Sequence, residues 1–476
     1  MNMLLHRYTL GWLLITLACA AHAEVRQADD NPLGLRSELL TPSFWIQRAE
    51  DAHATRLEAD AIERLNASLR SQDPSIHSLD AFKDPLPAAE VRTRITSLSV
   101  PLTAKRFLAN GHAIAESLPA QLGASLALEQ LTDPVTPRFA LVIRRAALRT
   151  YPTRLSLFKQ PGDYDLDRVQ ESALFPGDAL VVLHQSADGE WLFAVSERYA
   201  AWIEAAAVAI GDREEVLAYA RRTPALTVIG ATAHTVSSPQ AGALSELRLD
   251  MGVRLPWQRQ WRLHQAVHGQ LPLAHWVVDL PQRLHDGSLR LTPTLIARSE
   301  PLADAPRRYT SANVIRQAFR FLGERYGWGH AFNARDCSGF VSEVYRSMGI
   351  VLPRNTGDQA ASPAFDGVTL EGSSGADREK ALANLDVGDL IHIPGHVMLV
   401  IGRIDHEIWL IHDVHSVSVS NSHGKPRVLP VNGVAVTPLR PLLASDGTPL
   451  TERITRIQRI RPAPALADNL QHAPQP

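Results

Sequence analysis

Cys337 and His396 are residue types that together can do covalent chemistry. Cys337 stands at the head of Arg335-Asp336-Cys337-Ser338-Gly339-Phe340, where the apolar positions Phe340, Val341, Val344, Tyr345 and Met348 recur at helical spacing, with Gly349 as the stop. A thiol in the first turn of a helix meets the positive end of the backbone dipole and unpaired N–H groups, both of which favour thiolate. His396 follows the turn Pro394-Gly395 and opens the apolar run Val397-Met398-Leu399-Val400-Ile401. His412 closes the next run, Ile408-Trp409-Leu410-Ile411. In an antiparallel hairpin the first residue of one strand lies beside the last of its neighbour. Cysteine, histidine and a second histidine would then serve as nucleophile, general base and orienter, the parts that acyl transfer through a thioester needs. The same residues admit plainer roles. A lone cysteine is often a small buried hydrophobe, and two strand-end histidines are unremarkable among 19. Zinc ligands usually come in close pairs, Cys337 has none nearby, and His412 with His415 makes only a weak metal pair. No metal and no cofactor are expected. Spacing alone leaves the thiol enzyme and the structural reading open.

The elements that would carry these residues form a helix-then-sheet α+β unit over 305–461. Thr310 or Ser311 caps a helix with Val314, Ile315, Ala318, Phe319 and Leu322 on one face, and Tyr326-Gly327-Trp328-Gly329 ends it. After the Cys337 helix come strands at Asp389–Ile393, Val397–Ile401 and Ile408–His412. Upstream the texture differs. Over 135–212 short apolar runs such as Ala140–Ile143, Ala179–Leu183 and Trp191–Val195 alternate with Pro-Gly-Asp and Asp-Gly turns, the pattern of a small β-barrel. Residues 222–300 repeat that theme loosely, with Leu226–Ile229, Met251–Leu255 and His275–Val278, and predict a second barrel. Residues 24–134 are expected to form a helical domain, and 462–476, rich in Ala and Pro, a disordered tail.

Over 476 residues, 45% are hydrophobic and 21% charged, a globular balance that excludes wholesale disorder. Lys and Arg number 48 against 50 Asp and Glu, so no global charge draws the chain to nucleic acid. Two cysteines exclude a disulfide framework and any four-thiolate metal site. At the start, Arg7 is the only charge before Glu24, an apolar run spans Leu10 to Ala21, and Ala21-His22-Ala23 is a small-x-small site. Residues 1–23 are therefore expected to be a cleaved secretory signal, too short to span a bilayer. Thr16-Leu17-Ala18-Cys19 fits a lipobox poorly, so a lipid anchor on Cys19 is the lesser alternative. Cleavage after Ala23 also removes Cys19 and leaves Cys337 as the single thiol of the mature protein.

Four motifs occur in one order: Tyr326-Gly327-Trp328-Gly329, Asp336-Cys337-Ser338-Gly339-Phe340-Val341, Leu352-Pro353-Arg354-Asn355-Thr356 and Gly395-His396-Val397-Met398-Leu399. Together they resemble the NlpC/P60 family of cysteine peptidases. The whole chain resembles one architecture of that family: a helical N-terminal region, two bacterial SH3-like barrels, then the papain-like α+β peptidase. The first barrel's likeness rests on Val142 to Thr153 and His184 to Trp191. The resemblance implies hydrolysis of peptidoglycan stem peptides or muropeptides between γ-D-glutamyl and a diamino acid, with Cys337 as nucleophile, His396 as base and His412 as third polar residue. It further implies that Asp336 and Ser338 help hold a free N-terminal L-Ala amine. The plainer role for Asp336 is a helix cap. Arg354 is a candidate for bidentate pairing with a substrate carboxylate, or a surface residue before a turn. Tyr326 is a candidate oxyanion donor or a packing residue. Arg403 to Glu407 is expected to lengthen the turn before His412 relative to the family. Amidase activity at muramoyl-L-alanine and an inactive wall-binding scaffold are the alternative functions. The expected protein is periplasmic and monomeric, with no nucleic-acid partner and no membrane span once the signal is removed.

Overall fold

The computed structural model describes residues 31–464. The expected signal at 1–23, Cys19 and the tail beyond 464 lie outside the described residues. The C-terminal unit is built on an antiparallel six-stranded sheet ordered Phe365–Thr369, Arg456–Pro462, Leu390–Ile393, His396–Ile404, Glu407–Val414, Gly433–Pro438. Its central strands are apolar on both faces because both faces are covered. Val397, Leu399, Ile401 and Ile411 pack with Phe340, Val341 and Val344 of the helix Cys337–Arg346. The alternate residues Met398, Val400 and Leu410 pack with Leu382, Leu439 and Ile457. That double burial is why the runs read as continuous rather than alternating.

The two central strands pair down to Ile404 with Glu407, leaving only Asp405 and His406 in the turn. The extra residues between the histidines therefore lengthen the strands and not the turn. The register shifts between Val400 and Gly402. A Cβ on Gly402 would sit 2.9 Å from the Trp45 ring, so the bulge takes glycine to let that indole lie on the sheet.

Two caps fix the helices. Thr310 Oγ1 accepts from the Asn313 N–H at 3.1 Å at the head of Ser311–Phe319. Asp336 accepts from the Gly339 N–H at 2.8 Å at the head of Cys337–Arg346. At the other end, Pro462 closes the last strand opposite Phe365, and the Ala463 N–H bonds the Ala364 carbonyl at 3.0 Å. The sheet thus continues one residue past the predicted tail boundary.

Upstream, seven strands form one sheet ordered Gln170–Leu174, Ala146–Arg149, Ala200–Glu204, Trp191–Ser196, Ala179–Gln185, Arg138–Val142, Val208–Gly211. Residues 222–303 follow as three small sheets, two of short strands and one a hairpin of His275–Arg283 with Leu289–Ala297, around Leu226, Val228, Leu249, Leu255, Val278 and Ile296.

The helical region before the two β units does not form one domain with its own core. Its helices include Pro42–Ile46, Ala59–Gln72, Ala88–Leu98 and Leu118–Ser125. Trp45, Leu65 and Leu69 enter the core of the Cys337 helix. Val91, Ile95 and Leu122 enter the core of the first barrel, with Phe193 and Trp202. Helices this short each offer one apolar stripe, and a stripe is buried most completely against an existing sheet.

Candidate active site

Cys337 is the first residue of its helix and is buried. The Val397 N–H bonds the sulfur and favours thiolate, but burial outweighs it and, with the Asp336 and Asp413 carboxylates, pushes the thiol up to about 12. Burial also holds His396 down to about 4. The thiol and imidazole therefore rest neutral, against the thiolate that the helix dipole alone suggests.

His396 opens its strand, and its Nε2 lies 2.8 Å from His412 Nδ1. His412 Nε2 in turn lies 3.0 Å from Thr437 Oγ1, on the next strand outward. His415 points elsewhere: its Nε2 is 3.5 Å from Asp165 of the first barrel, and its ring stands edge-on to Tyr326. The structure thus brings Cys337, His396 and His412 to one place. Among the described residues no cluster of three His, Cys, Asp or Glu could hold a metal ion.

Asp336 and Arg354 answer each other. Arg354 Nη1 and Nη2 reach the two oxygens of Asp336 at 3.1 and 2.8 Å. The rest of the guanidinium bonds Ser338 Oγ at 2.8 Å, His330 Nδ1 at 3.0 Å and Ser172 Oγ at 2.6 Å. Arg354 is 3% exposed, so it has no face left to pair a substrate carboxylate, and the bidentate partner expected for it is Asp336. Asp336 also accepts from the Gly329 and Gly339 N–H groups, at 3.0 and 2.8 Å. Although burial opposes it, Arg354 holds this carboxyl down to about 2. Ser338 Oγ donates to Asp336 at 3.2 Å. Tyr326 is buried with its phenol pushed up by burial and then by the adjacent Cys337, which places it beside the sulfur.

The first barrel supplies the residues that sequence reading missed. Its strand Gln170–Leu174 crosses the loop before Cys337. Gln170 Nε2 donates to the Gly329 carbonyl at 2.7 Å, and the Trp328 indole donates to the Gln170 carbonyl at 3.1 Å. A Cβ on Gly329, whose φ is +56°, would sit 2.9 Å from the barrel backbone, so the crossing needs glycine there. Next on that strand, Glu171 accepts from the Tyr199 hydroxyl. Burial raises the Glu171 carboxyl and nearby Arg354 lowers it. The polar run Gln170-Glu171-Ser172 inside an otherwise apolar barrel was the available signal. Tyr199 carried none. Asp413, beside His412 in the chain, was also missed. It is fully buried, neither of its oxygens finds a hydrogen-bond partner among the described residues, and burial pushes it up to about 9.

Residues 323–429 match the model of the NlpC/P60 family, and residues 156–204 match that of an SH3 domain of the SH3b1 type. Over 50 residues the chain is 46% identical to a probable endopeptidase p60 of Listeria seeligeri, a stretch covering 10% of each chain. Over 83 residues it is 31% identical to a gamma-D-glutamyl-L-lysine dipeptidyl-peptidase of Bacillus subtilis (strain 168), covering 17% of this chain and 27% of that one. The matches therefore span about a tenth and about a quarter of these curated relatives. Among solved structures, an NlpC/P60 endopeptidase from Photobacterium damselae subsp. piscicida aligns over 88% of this chain and 97% of its own, with a TM-score of 0.70 at 16% identity. That likeness is one of fold, and it extends well beyond the C-terminal unit. The chain is a multidomain protein with an SH3 domain, and the domain that gathers Cys337, His396 and His412 belongs to the NlpC/P60 family.

Proposed function

We propose that the protein is a cysteine endopeptidase that cuts peptidoglycan stem peptides at the γ-D-glutamyl–diamino acid bond, outside the cytoplasm, as a monomer of the periplasm. The observation that carries the chemistry is the ring-to-ring contact of 2.8 Å that leaves His396 Nδ1 as the nitrogen available to the Cys337 thiol. Cys337 Sγ attacks the γ-carbonyl carbon while its proton passes to His396 Nδ1. The C–N bond breaks, and His396 returns that proton to the leaving amine of the diamino acid. Water then hydrolyses the thioester, with the same ring as base, and the thiol is restored. The Tyr326 hydroxyl, beside the sulfur, donates to the oxyanion. The bond assignment draws on the family and on the Bacillus subtilis relative's own name.

Free N-terminal L-Ala is the preferred end of the substrate. Asp336 is fully engaged with Arg354 and two backbone N–H groups, so its part is to hold the loop and, through Arg354, Ser338. The ammonium contact is assigned instead to Glu171, half-buried in the first barrel, where Tyr199 engages one oxygen. Free L-Ala-γ-D-Glu-diaminopimelate should release L-Ala-γ-D-Glu, read by mass spectrometry, on the order of 10²-fold faster than its N-acetylated form. Cys337→Ala should abolish both reactions. Release of an intact stem peptide from muropeptides would mean an amidase instead. Equal rates on free and blocked peptides would mean a cleft open at the barrel side.

A further inference from the structure

Behind His412 the structure holds one more polar group that the catalytic reading does not use. Thr437 lies in the strand Gly433–Pro438 and is fully buried. Its Oγ1 is 3.0 Å from His412 Nε2, and His412 Nδ1 is 2.8 Å from His396 Nε2. These three side chains form a single file ending at the nitrogen of His396 that is left for the thiol. Among the described residues no carboxylate is hydrogen-bonded to either ring. The titratable neighbour on the other side is His392, on the strand Leu390–Ile393, itself held down to about 3 by burial and then by His396 and Arg456, so it brings no negative charge to the file. Asp413 sits on the opposite face of the His412 strand, whose residues alternate between faces.

A file of neutral hydrogen bonds can run in two directions. In one, the threonine hydroxyl donates to His412 Nε2, His412 Nδ1–H donates to His396 Nε2, and His396 carries its proton on Nδ1. That ring cannot accept a proton from the thiol. In the other, His396 Nε2–H donates to His412 Nδ1, His412 Nε2–H donates to Thr437 Oγ1, and His396 Nδ1 is bare. When His396 becomes imidazolium only the second direction survives, because both its nitrogens then carry protons. His412 must accept, and its own Nε2–H must find an acceptor in a buried place. Thr437 Oγ1 is the acceptor in reach.

We propose that Thr437 is a positioning residue that sets the direction of this file, holding His412 as the Nε2–H tautomer and so keeping His396 Nδ1 free to take the Cys337 proton. The inference rests on Cys337 and His396 being nucleophile and base. It extends the family's three residues to a fourth, contributed by the strand outside the histidine hairpin.

Thr437→Val keeps shape and removes the acceptor. It should lower kcat on the free tripeptide on the order of 10- to 100-fold with KM nearly unchanged, and Thr437→Ser should restore most of the rate. Losing the acceptor destabilises the imidazolium, and because His396 must be neutral to take the thiol proton, the acid limb of kcat/KM in Thr437→Val should move to lower pH. A merely structural role would leave both limbs in place and would not distinguish Ser from Val beyond their effect on folding. Should Thr437→Val fail to fold, nitrogen-15 shifts of the imidazoles in the wild-type protein decide the matter: His412 protonated on Nε2 supports the inference, and on Nδ1 overturns it. If wild type cuts the tripeptide, Cys337→Ala does not, and Thr437→Val matches wild type in rate and pH profile, this inference falls and the thiol mechanism stands. If Cys337→Ala retains activity, the mechanism itself has failed.

Discussion

The two β units ahead of the catalytic domain touch it in different ways. The first lays a polar strand against the loop before Cys337: Gln170 holds the Gly329 carbonyl, Ser172 holds Arg354, and Glu171, bonded by Tyr199, lies close enough to feel Arg354 and Asp336. The second sends in Asp250, fully buried, whose Oδ1 receives Arg335 at 2.9 Å together with Arg145 and Arg248. Arg335, two residues before Cys337, is closed off further by Glu343 at 2.8 Å and by both oxygens of Glu324. One unit lies against Arg354 and the Gly329 turn, and the other pins the loop that carries Cys337. A neighbour can matter to an active site by facing it or by holding what stands behind it, and the two roles should separate experimentally.

The largest effect should come from the rear contact. Asp250→Ala removes the carboxylate on which three guanidinium groups converge, two of them buried. Breaking a buried pair typically costs about 3–5 kcal/mol, so chemical denaturation should show a loss of that size. Survivors at low temperature should keep their preference for free-amine peptides. A silent Asp250→Ala would erase the distinction between the two units. Next comes Glu171→Gln in the first barrel. Here stability should hardly change, while kcat/KM on the free-amine tripeptide drops on the order of 10²-fold and the blocked peptide is unaffected. Equal losses on both peptides would make Glu171 a structural residue like Asp250.

A smaller and pH-dependent effect belongs to neither β unit. Asp413 has its folded value raised to about 9, well above the usual carboxylate range, so folding takes up a proton and stability falls as pH rises from about 4 toward 9. Asp413→Asn mimics the protonated group and should raise Tm by at least a few degrees more at about pH 8 than at about pH 5. A gain of the same size at both pH values would show that Asp413 is not the titrating group. The smallest effect should come from the far side of the second unit, where Leu263, Leu271 and Leu273 are exposed. Leu273→Ser should change stability by no more than about 0.5 kcal/mol and leave both peptide rates alone.

What was legible in the sequence was local. The Cys337 helix announced itself through its period and its Gly349 stop, and the histidine hairpin through two apolar runs on either side of a short turn. Whatever depended on distant pairing was hidden. Arg354 looked available because its partner Asp336 is 18 residues away, and Ser172 is 182 away on another domain. Thr437 becomes meaningful only once Gly433–Pro438 is known to flank the His412 strand, and nothing in its own neighbourhood marks it. The N-terminal helices showed their apolar stripes but not what those stripes cover. The thiol's rise had the same origin: the dipole is readable from a helix start, whereas desolvation depends on everything packed around it.

That shared core has a consequence for how the molecule is made. Trp45, Leu65 and Leu69 finish the hydrophobic interior whose other walls are Phe340, Val344, Leu399 and Ile411. The ribosome emits the first group some 270 residues or more before the second. Until the last third of the polypeptide has emerged, those early side chains have nothing to cover, and the cleft has no floor. A chain cut short would therefore carry the Cys337 motif without the core that seats it. Chemistry at that thiol would wait until synthesis of the whole core was complete.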